Sequence, residues 1–182
     1  LKHRSGIFNF TNAEDYTDWM EKPITKSKLV EVIASHPSSF QPDSEAGYSN
    51  SNYVLLSFIA ENILDKTFAQ ILKDEITDVC DLKSTYYGNT IGAIRNEAQS
   101  YSYTGQWNKA TETDMSVPMG AGAIVSTASD LNKFLYKLFN GKVVSKETLA
   151  TMMDLEDGFG IGLFKVTYGD KSAYGHSGGI DG

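Results

Sequence analysis

Three stretches of the sequence hold residue types able to move a proton or grip a substrate. Tyr48-Ser49-Asn50 sets a phenol and a carboxamide on either side of a serine. A phenol ionises near pH 10 in water, so it serves as a base at neutral pH only where cationic neighbours lower its pKa. His176-Ser177-Gly178-Gly179 joins an imidazole and a hydroxyl to two residues whose backbone a ligand can approach closely. Gly120-Ala121-Gly122-Ala123-Ile124 is glycine-rich but lacks the spacing of a phosphate-binding loop, which excludes nucleotide binding there.

Each stretch also has an ordinary structural reading. Ser49 or Asn50 can cap the apolar helix that follows. With 10 tyrosines and 10 asparagines in 182 residues, about half a Tyr-x-Asn match arises by chance, and Tyr87-Gly88-Asn89 is a second one. His176 can be a surface residue near the end of a hairpin strand.

These residues need elements to hold them. Lys26 to Ala34 reads as a short helix opened by Pro23 and Thr25, with Leu29, Val30 and Ile33 inward. Ser51 to Leu64 is the strongest helix. Its apolar residues cover nearly the whole circumference and leave a narrow polar stripe through Ser57, Glu61 and Asp65, which predicts a central, buried helix. Thr67-Phe68-Ala69-Gln70 fits a capping box, and Phe68, Ile71, Leu72 and Ile76 form one face of the helix it starts. Residues 83–118 are polar and tyrosine-rich without period and read as long irregular excursions, as do residues 1–24 with their anchors Phe8, Phe10, Tyr16 and Trp19. Ser126 or Thr127 caps a helix bearing Leu131, Phe134, Leu135, Leu138 and Phe139, with Gly141 as its left-handed stop; Ser145 caps another. Phe159 to Tyr168 and Ser172 to Gly178 read as a hairpin around Gly169-Asp170.

Composition narrows the class. With 41% hydrophobic and 12% aromatic residues the chain can build one real core, and 21% charged residues without excess Gly or Pro excludes disorder. A net charge of -7 with no basic cluster argues against a nucleic-acid partner. The single cysteine, Cys80, excludes an internal disulfide and reads as a buried thiol. No run is long enough to span a bilayer.

Taken in order, "LKHRSGI" at 1–7, "YSNSNYVLLSFIAENI" from Tyr48, "GAGAIVSTASDLNKF" from Gly120, "FGIGLF" and "YGHSGGIDG" resemble the penicillin-recognising serine hydrolases of the class C β-lactamase type. That family includes D-Ala-D-Ala carboxypeptidases and related esterases. Tyr87 has no such context, so Tyr48 is the matching tyrosine. The resemblance implies an acyl-enzyme mechanism, with a serine from a Ser-x-x-Lys turn as nucleophile. Tyr48 would exchange protons with that serine and with the leaving group. Asn50 would hydrogen-bond the substrate carbonyl and the lysine, and His176 would add positive character when protonated. Ser177 would donate to a substrate carboxylate within the His176-Ser177-Gly178 strand, and the Gly179 N–H would be one of two oxyanion donors.

The resemblance also implies an α+β fold: a helical lobe over residues 1–156 carrying Tyr-Ser-Asn, and an antiparallel β-hairpin over residues 157–182 belonging to a sheet lobe. The sequence departs from the family in two ways. It contains no Ser-x-x-Lys, so the nucleophile is expected upstream of Leu1, with further sheet strands downstream and both ends cut through a longer protein. Asp43 stands where the family usually has glycine. The expected substrates are D-Ala-D-Ala peptides, β-lactams or small esters, with the isolated chain inactive. The alternative is a non-catalytic homologue that binds peptides or a protein partner. We expect no metal, no cofactor, a periplasmic, extracellular or membrane-anchored protein, and self-association through exposed strand edges in the absence of the sheet lobe.

Overall fold

Local capping chemistry accounts for most of the helix starts. In the computed structural model, which describes residues 1–89 and 96–181, a 3-10 turn at Phe10–Asn12 precedes α1 (Tyr16–Trp19). The Tyr16 and Trp19 rings meet edge-on, with centroids 5.2 Å apart, and both lie against Phe10. Thr25 Oγ1 accepts from the Lys28 N–H to start α2 (Lys26–Ala34), as predicted, but only Leu29 and Ile33 of its expected inward residues are buried, while Val30 faces outward. Helix α3 (Asn50–Leu64) follows a loop and ends at Asp65 in the left-handed conformation.

Thr67 Oγ1 accepts from the Gln70 N–H and opens α4 (Phe68–Ile71), which runs on through a π-helical turn, Leu72–Thr77, into α5 (Asp78–Cys80). Only the forward half of the predicted capping box forms, because the Gln70 side-chain amide donates to Asp74 Oδ1 instead (2.6 Å). Cys80 is fully buried, as its sequence context implies.

The excursion after α5 is mostly irregular, with short pairings; residues 90–95, which fall in it, lie outside the described residues. Strand β1 (Tyr86–Tyr87) pairs with a later strand, and β2 (Tyr101–Tyr103) pairs antiparallel with β3 (Trp107–Lys109). A 3-10 turn at Met119–Ala121 leads into β4 (Ile124–Val125), the partner of β1. Thr127 caps α6 (Ala128–Phe139), and Gly141 leaves it with a φ of 66°. Asp130 in the first turn of α6 accepts from the Ser84 N–H (2.7 Å) and the Thr85 hydroxyl (2.9 Å), clamping the chain ahead of β1. Ser145 caps α7 (Lys146–Met153). Strands β5 (Phe164–Tyr168) and β6 (Lys171–Gly175) form an antiparallel hairpin around Gly169-Asp170. The core lies between α2, α3 and the Met119 turn: Phe10, Leu29, Ile33, Val54, Phe58, Val117 and Met119.

Three further expectations need correction. Helix α3 is not buried all round: Ile59 and Ile63 are 51% and 75% exposed, while Ser57 and Glu61 of the polar stripe are buried. The reason is steric and electrostatic. A Cβ on Gly120 would lie 2.7 Å from the Ser57 Cβ and from the Tyr53 carbonyl oxygen, so the Met119 turn packs directly on the stripe. Glu61 turns inward to accept the Phe68 N–H at 2.8 Å and to pair with Lys26. On α6, Leu131 is about half exposed rather than packed with Leu138.

The third correction concerns the hairpin. Residues 159–163 are outside β5, since Phe159 makes only isolated bridges to Glu156 and Phe164. Strand β6 ends at Gly175, opposite Phe164, so His176 to Gly179 lie beyond the strand.

Candidate active site

Tyr48 is the last residue but one before α3, and Asn50 is the first residue of that helix. The predicted cap is therefore partly misplaced. Ser49 occupies the N-cap position but makes no side-chain capping bond; its hydroxyl reaches the Phe8 carbonyl, at 3.4 Å. The Asn50 N–H is instead taken by Asn9 Oδ1 (3.0 Å). Asn9 thus does from a distance what a local cap would do.

These contacts fix the site's polar groups. The Tyr48 hydroxyl donates to Asn50 Oδ1 at 3.1 Å, and Asn50 Nδ2 donates to the Thr11 hydroxyl at 3.3 Å. Tyr48 is 44% exposed, so its phenol faces solvent rather than a dry core. Partial burial still raises its pKa above the usual value. No lysine lines the surrounding cleft among the described residues, and burial alone acts on the phenol.

The cleft has a volume of about 860 Å³. Tyr48, Asn50 and Thr11 border it from the helical side, and His176, Ser177, Gly178 and Gly179 border it from the segment after β6. All six residues expected from the sequence to form the site therefore line one space. The His176 ring lies 4.5 Å from Phe164 and 6.3 Å from Tyr48, centroid to centroid. Tyr87, the competing Tyr-x-Asn tyrosine, donates to the Met115 carbonyl and faces a separate cavity, and burial pushes its pKa up to about 12.

Sequence reasoning missed a set of aromatic rings behind the cleft. His3 lies 4.5 Å from Tyr48 and 5.0 Å from Phe159; Phe159 lies 5.3 Å from Phe164, which meets His176. The rings thus form a continuous path from the N-terminal segment to the far side of the cleft. In the sequence His3 falls in the "LKHRSG" stretch and Phe159 and Phe164 in "FGIGLF", and no local pattern joins the two. Asp43, the other departure from the family pattern, takes the left-handed conformation with a φ of 67°. Aspartate tolerates that region better than most non-glycine residues. Here Arg4 secures it, pairing with the Asp43 carboxylate (2.7 Å) and donating to its carbonyl, while also reaching Asp157.

The site stands on a shared framework. The D-amino acid amidase of Ochrobactrum anthropi SV3, solved with L-phenylalanine, superposes with a TM-score of 0.86 at 30% identity, over 100% of this chain and 56% of that one. The D-stereospecific amidohydrolase of a Streptomyces species shares the fold, with a TM-score of 0.87 at 24% identity, over 100% of this chain and 60% of that one. Among curated proteins, the teichoic acid D-alanine hydrolase of Staphylococcus aureus strain MRSA252 is 22% identical over 151 residues, 80% of this chain and 36% of that protein. The chain thus spans little more than a third of the length of the curated relatives it matches. The family description Beta-lactamase matches residues 1–182. The chain belongs to the Beta-lactamase family.

Proposed function

We propose that this chain supplies the proton-transfer and substrate-gripping side of a serine hydrolase that cleaves amide or ester bonds of D-configured aminoacyl groups. The observation that carries the reading is the meeting of Tyr48 and Asn50 with His176 to Gly179 across one cleft. Acyl transfer needs a group that takes and returns a proton beside donors aimed at a developing oxyanion. Tyr48 is the proton carrier in this reading. Its hydroxyl now donates to Asn50, and a cation brought alongside would draw the phenol toward its ionised form. Asn50, oriented by Asn9 and Thr11, holds the substrate carbonyl. Ser177 receives a substrate carboxylate or carbonyl, and the Gly179 N–H faces the oxyanion.

The two glycines support this assignment. Neither Gly178 nor Gly179 has a positive φ, and a Cβ on either would meet no atom of the described residues within 4 Å. The fold itself does not require glycine there, whereas the close approach of a ligand would.

The nucleophile and its lysine are assigned to a segment outside this chain, since no Ser-x-x-Lys occurs in it. The names of the relatives favour D-configured substrates: a D-amino acid amidase and a teichoic acid D-alanine hydrolase. A cell-envelope location belongs to the same proposal, since the second is named for a surface polymer. No helix among the described residues is long and apolar enough to cross a membrane.

The test is hydrolysis of D- and L-phenylalanine amide and of D-alanyl esters by the full-length protein and its Tyr48→Phe variant. The D-forms should be preferred, and Tyr48→Phe should lower kcat by about 10²–10⁴-fold. Unchanged turnover in Tyr48→Phe would remove Tyr48 from the mechanism.

A further inference from the structure

His3 is 3% exposed and carries a left-handed backbone with a φ of 55°. It reaches the Tyr48 loop through three contacts. Its carbonyl accepts the Gly47 N–H (2.9 Å), its Nδ1 accepts the Ser49 N–H (3.1 Å), and its ring lies 4.5 Å from that of Tyr48. Ser49 is the residue between Tyr48 and Asn50, so the imidazole holds the backbone from which both polar groups project.

A second donor fixes the protonation pattern of the ring. Ser5 donates to Asn52 Oδ1 (2.6 Å), which leaves the Asn52 Nδ2 amine facing His3 Nδ1 at 3.4 Å. Nδ1 therefore meets two N–H groups and must carry a lone pair, so the ring proton of the neutral form sits on Nε2. The titratable groups acting around it are the Tyr48 and Tyr53 phenols, His176 and the Leu1 amine. Burial is the largest influence, and positive charge on the last two adds to it; both favour the neutral ring and bring the His3 pKa down to about 4.

We propose that His3 is a positioning residue: its neutral imidazole holds the Ser49 amide, and through it keeps the Tyr48 phenol and the Asn50 carboxamide aimed into the cleft. The catalytic consequence rests on the acyl-transfer reading above; the positioning itself does not. Protonated His3 would turn Nδ1 from acceptor into donor against two other donors, and the loop would lose its anchor. The "HRSG" stretch thereby gains a physical meaning, with His3 gripping the loop and Ser5 orienting the amide that completes the grip.

The test compares His3→Leu, which removes the acceptor, with His3→Asn, whose amide oxygen can take the place of Nδ1. It is made in the full-length protein, by kinetics and by NMR. In the wild type, the ¹⁵N shift of His3 Nδ1 should report an unprotonated nitrogen at neutral pH. His3→Leu should lose the ring proximity of Tyr48 to Phe164 and His176 and lower kcat by about tenfold or more; His3→Asn should restore most of both. A protonated Nδ1 would overturn the proposal. So would a folded His3→Leu protein that keeps the Tyr48 contacts, or a folded His3→Asn protein no better than His3→Leu. Should His3→Leu fail to fold, the ¹⁵N shift and the Tyr48 contacts of His3→Asn decide. If the wild type turns over no D-aminoacyl substrate, the acyl-transfer reading fails, and the NMR comparison still decides whether His3 positions Tyr48.

Discussion

Acidification should weaken this protein through His3 in a way that can be isolated from its carboxylates. The imidazole has a pKa of about 4 when folded, against an ordinary value of 6.5. Between those values the unfolded chain binds more protons, so stability falls as pH falls; the contribution is complete above pH 6.5 and is lost toward pH 4. At about 1.4 kcal/mol per pKa unit the loss approaches about 3 kcal/mol, trimmed to about 2 kcal/mol by water in the neighbouring cleft. That is a large share of the ~5–15 kcal/mol of a typical domain. In urea, with a slope of about 2 kcal/mol per molar, the unfolding midpoint should drop by about 1 M more for the wild type than for His3→Asn between pH 7 and pH 4. Equal drops in the two proteins would show that His3 is already protonated when folded, or that its burial carries no penalty.

Other expectations follow from the packing around α3 and α6. Asp130→Ala strands the buried end of the Ser84–Thr85 clamp and should cost about 2 kcal/mol, seen as a thermal midpoint lower by roughly 6 °C; an unchanged midpoint would show the clamp to be idle. Gly120→Ala drives a methyl against the Tyr53 carbonyl and Ser57 and should cost about 1–3 kcal/mol in denaturant titration; wild-type stability would mean that α3 and the Met119 turn separate freely. The β5–β6 hairpin has no third strand among the described residues, and Val166 and Tyr168 stand exposed on it. The isolated chain should therefore form dimers that Val166→Lys weakens; light scattering that finds only monomer at high concentration counts against this.

What could be read from the sequence was what is decided within a few residues. Thr25, Thr67, Thr127 and Ser145 each cap the helix they precede, because a hydroxyl accepts an N–H three positions on whatever the rest of the chain does. The inward turn of the Ser57–Glu61 stripe was not legible. It depends on Gly120, far along the sequence, being small enough to lie against Ser57. The hairpin was overextended because alternation at 159–163 looks like a strand, whereas β6 offers Phe164 its last partner at Gly175. For the site, the family resemblance carried by five ordered stretches pointed to Tyr48, Asn50 and 176–179, where each stretch alone reads as ordinary structure. The supports did not show: Asn9, Thr11 and His3 act across some 40 residues of sequence, and no local pattern marks them.

Arg4 ties Asp43, in the loop ahead of Tyr48, to Asp157, just before the Phe159 ring, through ion pairs whose acidic partners are open to water. Mobile ions compete with such pairs. Salt thus becomes a dial on how tightly the loop ahead of Tyr48 is strapped to the segment before Phe159. Amide hydrogen exchange from Asp43 to Gly47 should quicken as sodium chloride is raised, while the core of α3 keeps its protection.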